Sequence, residues 1–371
     1  MVTLFKPFLH DRFLHLMVIL GIVLAIFAPF RLTELPGAVD WHTLITLCGL
    51  LILTKGIELS GYFEVLGRRV IEYFQHQRAL ALALVAGAAL LSTFLTNDVA
   101  LFIVVPLTLT LRKFSSLPVS RLIIFEALAV NAGSLLTPIG NPQNILLWGH
   151  SDLSFFGFIW QMLPLASALM VCLLALTWFC FPDHIIQRHA PEEAQGWQRR
   201  LLWLSVLLYL LFIAALECRF AGWALIVVIA AYLLMARQVL LRIDWSLLTV
   251  FIAMFIDVFL LTRLPGVHAG MTQAAHWSDG ARYLAAIGLS QVISNVPATI
   301  LLLPFMPASQ LFAWAVNIGG FGLLPGSLAN LIALRMAKER RIWWQFHLFS
   351  LPMLLIALVL GWLIYLTLRA A

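Results

Sequence analysis

Two short polar stretches with the same layout interrupt the apolar sequence near opposite ends of this chain. Thr96-Asn97-Asp98 precedes an apolar run that ends at Pro106, and Ser294-Asn295 precedes a similar run that ends at Pro304. Amide and hydroxyl groups inside apolar sequence have no water to bond, so each needs a partner from the protein or from a ligand. Polar breaks that occur twice in one chain are typical of membrane proteins that form one binding site between two repeats.

A second polar cluster follows each of these stretches. Asn131 and Asn144 bound the first cluster, and Asn317 and Asn330 bound the second with the same spacing. Small and polar residues often serve only to pack helices together in membranes, which is the alternative interpretation. Because four clusters share one spacing pattern, the repetition favours a common binding site.

The composition places the chain in a membrane. Of 371 residues, 62% are hydrophobic and 11% are charged, and the mean hydropathy is +0.98. An ordinary soluble domain has about twice that charged fraction. The net charge of +6 does not indicate nucleic-acid binding, because the basic residues stand at the ends of apolar segments rather than in one patch. We therefore expect a polytopic protein of the lipid bilayer.

The lengths of the apolar segments predict about nine crossings, since a helix needs roughly 20 residues to span. Two stretches do not fit a single span: we interpret 79–111 as a re-entrant helical hairpin with its tip at 96–98. We interpret 283–334 as a second hairpin, turning at 294–295, followed by a span broken at 321–326. The counterpart of that broken span is 122–148, broken at 137–142. The remaining spans are predicted at 13–30, 41–53, 155–181, 201–216, 221–235, 245–261 and 343–366.

The fold class expected is an all-α polytopic membrane protein with two inverted repeats, each containing a re-entrant hairpin and a broken helix. Most of the 23 Lys and Arg residues fall on the side of the amino terminus, which predicts an N-in, C-out orientation. The sequence Asp40-Trp41 returns as Asp244-Trp245 after five predicted crossings. Because this number of crossings is odd, the second copy enters the membrane from the opposite side and the two repeats are inverted. The predicted domains are an N-terminal helix (1–38), a first repeat (39–181), a linking loop with two spans (182–242) and a second repeat (243–371).

The candidate substrate and ion site gathers the two hairpin tips and the two helix breaks. Helix amino termini there offer N–H groups to an anion, and unwound carbonyl and amide oxygens can replace the water around a small cation. Glycines allow the backbone to approach closely. The candidate residues are Thr96, Asn97, Asp98, Thr137, Gly140, Asn141, Asn144, Ser294, Asn295, Asn317, Gly326, Ser327 and Asn330.

Asp98 is the acid expected at a hairpin tip, and Val296 stands at its place in the second repeat. A carboxylate within the membrane is either neutral or paired with a cation. The asymmetry predicts that the first repeat handles the coupling ion, H⁺ or Na⁺. The alternative is that Asp98 caps the returning helix of the hairpin. Asp257 and Glu126 are secondary candidates for ion coupling.

Sequence motifs give no support for catalysis or nucleotide binding. The chain has no HExxH, GxSxG or Walker motif, and its longest hydrophilic loop, 182–200, is too small for a nucleotide domain. The four cysteines form no CxxC pair, so a zinc site or a disulfide framework is not expected. We expect no cofactor and no bound metal other than Na⁺ as a coupling ion at the candidate site.

The tips TND and SNVP, together with the breaks TPIGNPQN and LPGSLAN, resemble the ion transporter superfamily over about 41–366. The closest likeness is to bacterial arsenite-permease-like and sodium/proton-antiporter-like members. This resemblance implies that the tips and breaks carry substrate and coupling ion, and that the hairpin-bearing domain slides against a scaffold. The tips differ from the serine-asparagine-threonine of sodium-coupled dicarboxylate members, so two symmetric sodium sites are not implied.

These observations predict a secondary active transporter of the bacterial inner membrane. It would move a small anion, an inorganic oxyanion or a carboxylate, in a process coupled to H⁺ or Na⁺. The alternative is a Na⁺/H⁺ antiporter in which Asp98 exchanges the two ions, and a membrane-embedded enzyme is a more remote one. The expected partners are the anion and the lipid bilayer, without nucleic acid or ATP. A homodimer is compatible with the sequence.

Overall fold

A computed structural model describes residues 8–9, 11–188, 196–217, 220–273 and 276–370. The N-terminal seven residues of the predicted first domain, and 189–195 and Cys218 within the predicted linking region, lie outside these ranges. Within them the chain is helical, and its only β pairing consists of isolated bridges. The expected all-α architecture is confirmed.

Nineteen α-helices are described in chain order, together with short 3₁₀ turns at Leu32–Glu34 and Leu324–Gly326. They are α1 Arg12–Phe27, α2 Leu35–Ala38, α3 Trp41–Leu59, α4 Tyr62–Tyr73, α5 Gln77–Phe94, α6 Asn97–Phe114, α7 Val119–Ser134, α8 Pro142–Gly149, α9 Phe155–Cys180, α10 Arg199–Glu217, α11 Ala221–Met235, α12 Gln238–Leu241, α13 Trp245–Arg263, α14 Pro265–Gln273, α15 Asp279–Ile293, α16 Asn295–Leu302, α17 Gln310–Ile318, α18 Leu328–Ala337 and α19 Ile342–Ala370.

The chain divides into two compact units. The first comprises Met1–Leu66 and Glu192–Gly270. In this first unit α3 packs against α10 and α11, and α13 packs against α1. Close approach of α3 to its neighbours depends on glycine: a Cβ on Gly49 would lie 2.1 Å from Phe212 Cζ, and a Cβ on Gly56 would lie 2.1 Å from Tyr232 Oη.

The second unit comprises Gly67–Pro191 and Met271–Ala371 and contains the whole candidate site. Its centre is α7, which contacts α5, α6, α9, α18 and α19. From Leu122 to Ser134 every residue of α7 is buried. The helix is apolar on all sides except for a few polar side chains, as expected of a helix enclosed by protein. Those polar side chains are therefore constrained by their neighbours rather than by solvent.

Among the described residues, five helices are long and apolar enough to cross a membrane: Trp41–Leu59, Gln77–Phe94, Phe155–Cys180, Trp245–Arg263 and Ile342–Ala370. Four of them coincide with predicted spans, whereas Gln77–Phe94 is the first arm of the predicted hairpin. Shorter apolar helices are Arg12–Phe27, Ala221–Met235 and Leu328–Ala337. The number of crossings and their orientation remain predictions.

The two predicted hairpins differ in length. The arms of the first, α5 and α6, each have 18 residues, or about 27 Å of helix. The arms of the second, α15 and α16, have 15 and 8 residues. The first arms exceed the apolar run 79–111 at both ends, because helix continues into the flanking charged residues Arg78 and Arg112.

Replacing Gly56 with alanine tests the tight packing of α3. We expect a loss of about 1–3 kcal/mol in stability, because the new methyl group overlaps Tyr232 Oη and Ser205 Oγ. The measurement is thermal unfolding of the purified protein in detergent. Gly222→Ala is the matched control, since nothing lies within 4 Å of a Cβ there. Equal unfolding temperatures for the two variants would contradict the packing.

Candidate functional site

The first hairpin tip is held against the first helix break. Thr96 caps α6 by accepting a hydrogen bond from Val99 N, and Asn97 Oδ1 accepts one from Asp98 N at 3.0 Å. The backbone N–H of Asn97 donates to Gly140 O at 2.9 Å. Thr137 Oγ1 donates to Thr93 O at 2.8 Å, so a second bond joins the break to the end of α5.

The second tip has the same asparagine but a different backbone. Asn295 Oδ1 accepts a hydrogen bond from Val296 N at 2.9 Å, which matches the arrangement at Asn97. Ser294 has φ 75° and ψ 155°, a region that residues other than glycine rarely adopt. Strain of this kind persists only where the surrounding structure imposes it, and it clusters at functional sites. Ser294 is fully buried.

Asn131 connects the first helix break to the second. Its Nδ2 donates to Asn330 Oδ1 at 2.8 Å, and its Oδ1 accepts from Ser327 Oγ at 2.9 Å. Asn330 Nδ2 in turn donates to Gly320 O at 2.9 Å. Each of these side chains is buried. The amide groups therefore satisfy one another across more than half of the chain length.

Asn317 makes the matching connection in the opposite direction. Its Nδ2 donates to Asn144 Oδ1 at 2.7 Å, and its Oδ1 accepts from Asn141 Nδ2 at 3.0 Å. Asn141 also caps α8, because its side-chain oxygen accepts from Asn144 N. Each sequence copy thus contributes one asparagine from the end of its first half-helix, which bonds the start of the second half-helix in the other copy. We call the four hydrogen bonds that Asn131 and Asn317 make across the two breaks the asparagine cross-links; their partners are Asn330, Ser327, Asn144 and Asn141.

Two glycines permit the close approach at the breaks. A Cβ on Gly140 would lie 2.1 Å from Ser134 O, and a Cβ on Gly326 would lie 2.5 Å from Gly319 O. The second tip reaches the asparagine cross-links at Gly320, where an added Cβ would be 3.4 Å from both Asn131 Oδ1 and Asn295 Nδ2. The tips and breaks are therefore brought together, although no direct hydrogen bond joins one tip to the other among the described residues.

A few polar groups in this region lack partners within the described part of the chain. The Nδ2 groups of Asn97 and Asn295 make no hydrogen bond there, whereas the Nδ2 groups of the asparagine cross-links all do. Asp98 Oδ1 and Gln143 Oε1 are buried and also have no partner. Unsatisfied buried groups in a native protein call for a ligand, an ion or water. The free side-chain donors therefore lie at the tips, whereas unpaired acceptors occur both at the first tip, on Asp98, and beside the first break, on Gln143.

Every site residue that the sequence predicts lies in the second unit, and the breaks and tips meet there. Asn131 and Gln291 were not among them. Asn131 was detectable, since its spacing to Asn144 equals that of Asn317 to Asn330. Gln291 donates to Gly319 O at 2.8 Å. The matching residue in the first copy is Thr93, which bonds Gly133 O. Because the two residue types differ, the repeated pattern does not reveal Gln291.

Comparison with known proteins identifies the family. The citrate transporter family (CitMHS) matches residues 7–312, and the chain belongs to it. It is 59% identical to inner membrane protein YbiR of Escherichia coli over 98% of this chain and 99% of that protein. It is also 30% identical to the uncharacterized transporter MJ0456 of Methanocaldococcus jannaschii, over 88% of this chain and 90% of the other.

A plant relative broadens the range of similar proteins. The silicon efflux transporter LSI3 of Oryza sativa subsp. japonica is 26% identical over 92% of this chain and 90% of its own length. Family membership and the apolar helices make the chain a membrane transporter. A transporter rather than an enzyme is also what the sequence predicts.

A double-mutant cycle on Asn131 and Asn330 tests the asparagine cross-links. Each alanine variant should lose about 1–3 kcal/mol of stability, because the buried partner amide loses its hydrogen bond to the other asparagine. The double variant should lose less than the sum, with a coupling energy of at least about 0.5 kcal/mol. The measurement is detergent-induced unfolding of the purified protein.

The control cycle pairs Asn131 with Thr177, a buried residue of α9 whose hydroxyl bonds Leu173 O and shares no partner with Asn131. The stability losses of the two single variants in this control cycle should add. Additive losses for Asn131 and Asn330 as well would contradict the direct bond.

Proposed function

We propose that the chain is a secondary active transporter that moves a small anion across the inner membrane, coupled to H⁺ or Na⁺. The proposal rests on a difference in hydrogen bonding between the asparagines of the tips and those of the helix breaks. Asn97 and Asn295 present amide N–H donors without partners, while the neighbouring buried asparagines bond one another. An anion held by these two donors and by nearby helix amino termini needs no basic side chain.

The substrate class is supported by chemistry and by the relatives. No Lys or Arg stands at either tip, and α6 and α16 both begin there. The backbone N–H groups of Asn97, Asp98 and Val99 are already bonded, so the free donors are the side-chain amides of Asn97 and Asn295, beside the positive ends of the two helices. Such donors suit the oxygens of a carboxylate or an oxyanion. The family is described as citrate transporters, and one relative as a silicon efflux transporter. Both descriptions support a small solute that offers oxygen atoms.

Coupling is assigned to the first tip. Asp98 Oδ1 is buried without a partner in the first turn of α6. A cation or a proton at this oxygen would satisfy it and would also offset part of the charge of a bound anion. A Na⁺/H⁺ antiporter that uses the same residue is the second candidate, favoured by the same free oxygen.

The membrane arrangement proposed is the nine-crossing, N-in, C-out topology with two inverted repeats. It is supported by the reciprocal form of the asparagine cross-links: the bond from Asn131 to Asn330 corresponds to the bond from Asn317 to Asn144. A two-fold relation between the copies produces such reciprocal pairs. The relative named an inner membrane protein supports the same location for this chain.

Alanine at either tip asparagine should abolish uptake. Purified protein in lipid vesicles would be given an inward proton gradient, or an inward sodium gradient, with citrate, silicate, phosphate, sulfate or arsenite outside. For an anion that the unaltered protein accumulates, Asn97→Ala and Asn295→Ala should each reduce uptake by about tenfold or more, the effect of losing one hydrogen bond to a charged ligand.

Gln75→Ala, which alters an exposed amide, is the control and should transport normally. Wild-type rates in both tip variants would show that the site is elsewhere. Proton movement driven by Na⁺ without any added anion would favour the antiporter.

Asp98→Asn should separate binding from coupling. The amide has the shape of the acid but cannot release a proton, so exchange of labelled anion across the vesicle membrane should continue. Net uptake should no longer respond to an imposed pH gradient. If the variant responds to pH as the unaltered protein does, Asp98 is a helix cap and not the coupling residue.

A further inference from the structure

A second buried carboxyl group lies in the second unit, outside the candidate site. Glu126 stands in the middle of α7 and is 0% exposed. One of its carboxyl oxygens accepts a hydrogen bond from Thr108 Oγ1 of α6. The other oxygen, Oε2, is buried and has no partner among the described residues. This is a titratable group that the candidate site does not use.

No ionisable side chain compensates Glu126. The carboxyl group makes its single hydrogen bond with Thr108, and it forms neither a hydrogen bond nor an ion pair with an ionisable side chain of α7 or of the helices packed on it. Those groups are Arg121 of α7, Arg78 of α5, Asp98, Arg112 and Lys113 of α6, Cys172 and Cys180 of α9, Arg335 of α18, and His347, Tyr365 and Arg369 of α19. An uncompensated charge is strongly disfavoured in such a place.

Packing does not require a polar pair at this position. The spacing that takes Asn131 to Asn317 also takes Glu126 to Phe312, and the spacing that takes Asn97 to Asn295 takes Thr108 to Met306. Phe312 and Met306 are both buried. The second copy thus has apolar residues at both spacings, with Phe312 on α17 as Glu126 is on α7, and with Met306 past the end of α16. Apolar side chains of similar volume often replace a buried polar pair without loss of stability, so packing alone does not account for Thr108 and Glu126.

The position of Thr108 connects Glu126 to the tip. Thr108 and Asp98 lie on the same helix, α6, about 15 Å apart along its axis. A rearrangement at the first tip that shifts α6 against α7 would therefore change what surrounds the carboxyl group. Transfer of the Glu126 carboxyl group from the protein interior to water would favour loss of its proton, and the reverse transfer would favour binding of a proton.

From this geometry we infer that Glu126 is a second proton-binding site, which takes a proton from water in one conformation and returns it to water in another. The inference rests on the proposed function, because it assigns part of the proton coupling to this residue. Glu126 holds its proton in the conformation described, with Thr108 as the hydrogen-bond partner. Within the second unit, both of these acids then belong to the first copy.

Infrared difference spectroscopy tests the inference without a substrate. The purified protein in lipid vesicles is titrated with acid and base in H₂O and in D₂O. A carbonyl band of a protonated carboxylic acid should fade as the pH rises and shift in D₂O. Glu126→Gln should lack this band. Asp98→Asn, the matched control, should keep it. If Glu126→Gln shows all the titrating bands of the unaltered protein, Glu126 does not exchange a proton.

A double variant separates proton binding from packing. Thr108→Val with Glu126→Met makes the pair apolar at similar volume and should leave the unfolding temperature within a few degrees of the unaltered value. Proton-driven uptake of the anion identified from the citrate, silicate, phosphate, sulfate and arsenite set should fall about tenfold or more. A stable double variant with normal uptake would overturn the inference.

Failure of the proposed function would look different from failure of this inference. Vesicles that take up no anion, or tip variants that transport normally, would count against the transport proposal while the titrating band of Glu126 remained. The absence of that band in otherwise active vesicles would count against the role of Glu126 alone.

Discussion

Buried amide side chains without water must bond one another, and this requirement organises the second unit. Asn131 and Asn317 each leave the end of one half-helix and bond the beginning of another, far away in sequence. In a low-dielectric interior such bonds are strong when complete and costly when partial. The two broken helices are therefore fixed to each other before any ligand is considered.

This arrangement assigns different roles to residues that look alike in the sequence. The asparagines of the breaks already use their side-chain donors and acceptors in hydrogen bonds to each other. A ligand could bond these groups only by breaking an existing hydrogen bond. Asn97 and Asn295 use only their carbonyl oxygens, each on the next backbone N–H, and keep their amino groups free. The strained backbone of Ser294 stands beside the second of these groups. The cross-linked breaks thus lie beside two tips whose side-chain amides keep free donors.

The two copies share this framework and differ in their acids. Asp98 and Glu126 both belong to the first copy, where the second has Val296 and Phe312. The asparagine cross-links are symmetric, because an asparagine in each copy bonds an asparagine in the other. Ion coupling needs no such symmetry, since one titratable group is sufficient to bind and release a proton. Within the second unit, this asymmetry is consistent with substrate recognition by both copies and ion handling by the first.

The sequence by itself determined that the chain is a helical membrane protein and where its helices are interrupted, because apolar length and polar breaks are local properties that a bilayer imposes. Thr96, Asn141, Ser294 and Ser327 all stand directly before a helix begins. Only the tertiary structure decided which amides are satisfied, how long the arms of the hairpins are, and that Asn131 bonds Asn330 while Asn317 bonds Asn144. Those features depend on partners more than a hundred residues away, and no local pattern of residues specifies which distant group completes a hydrogen bond.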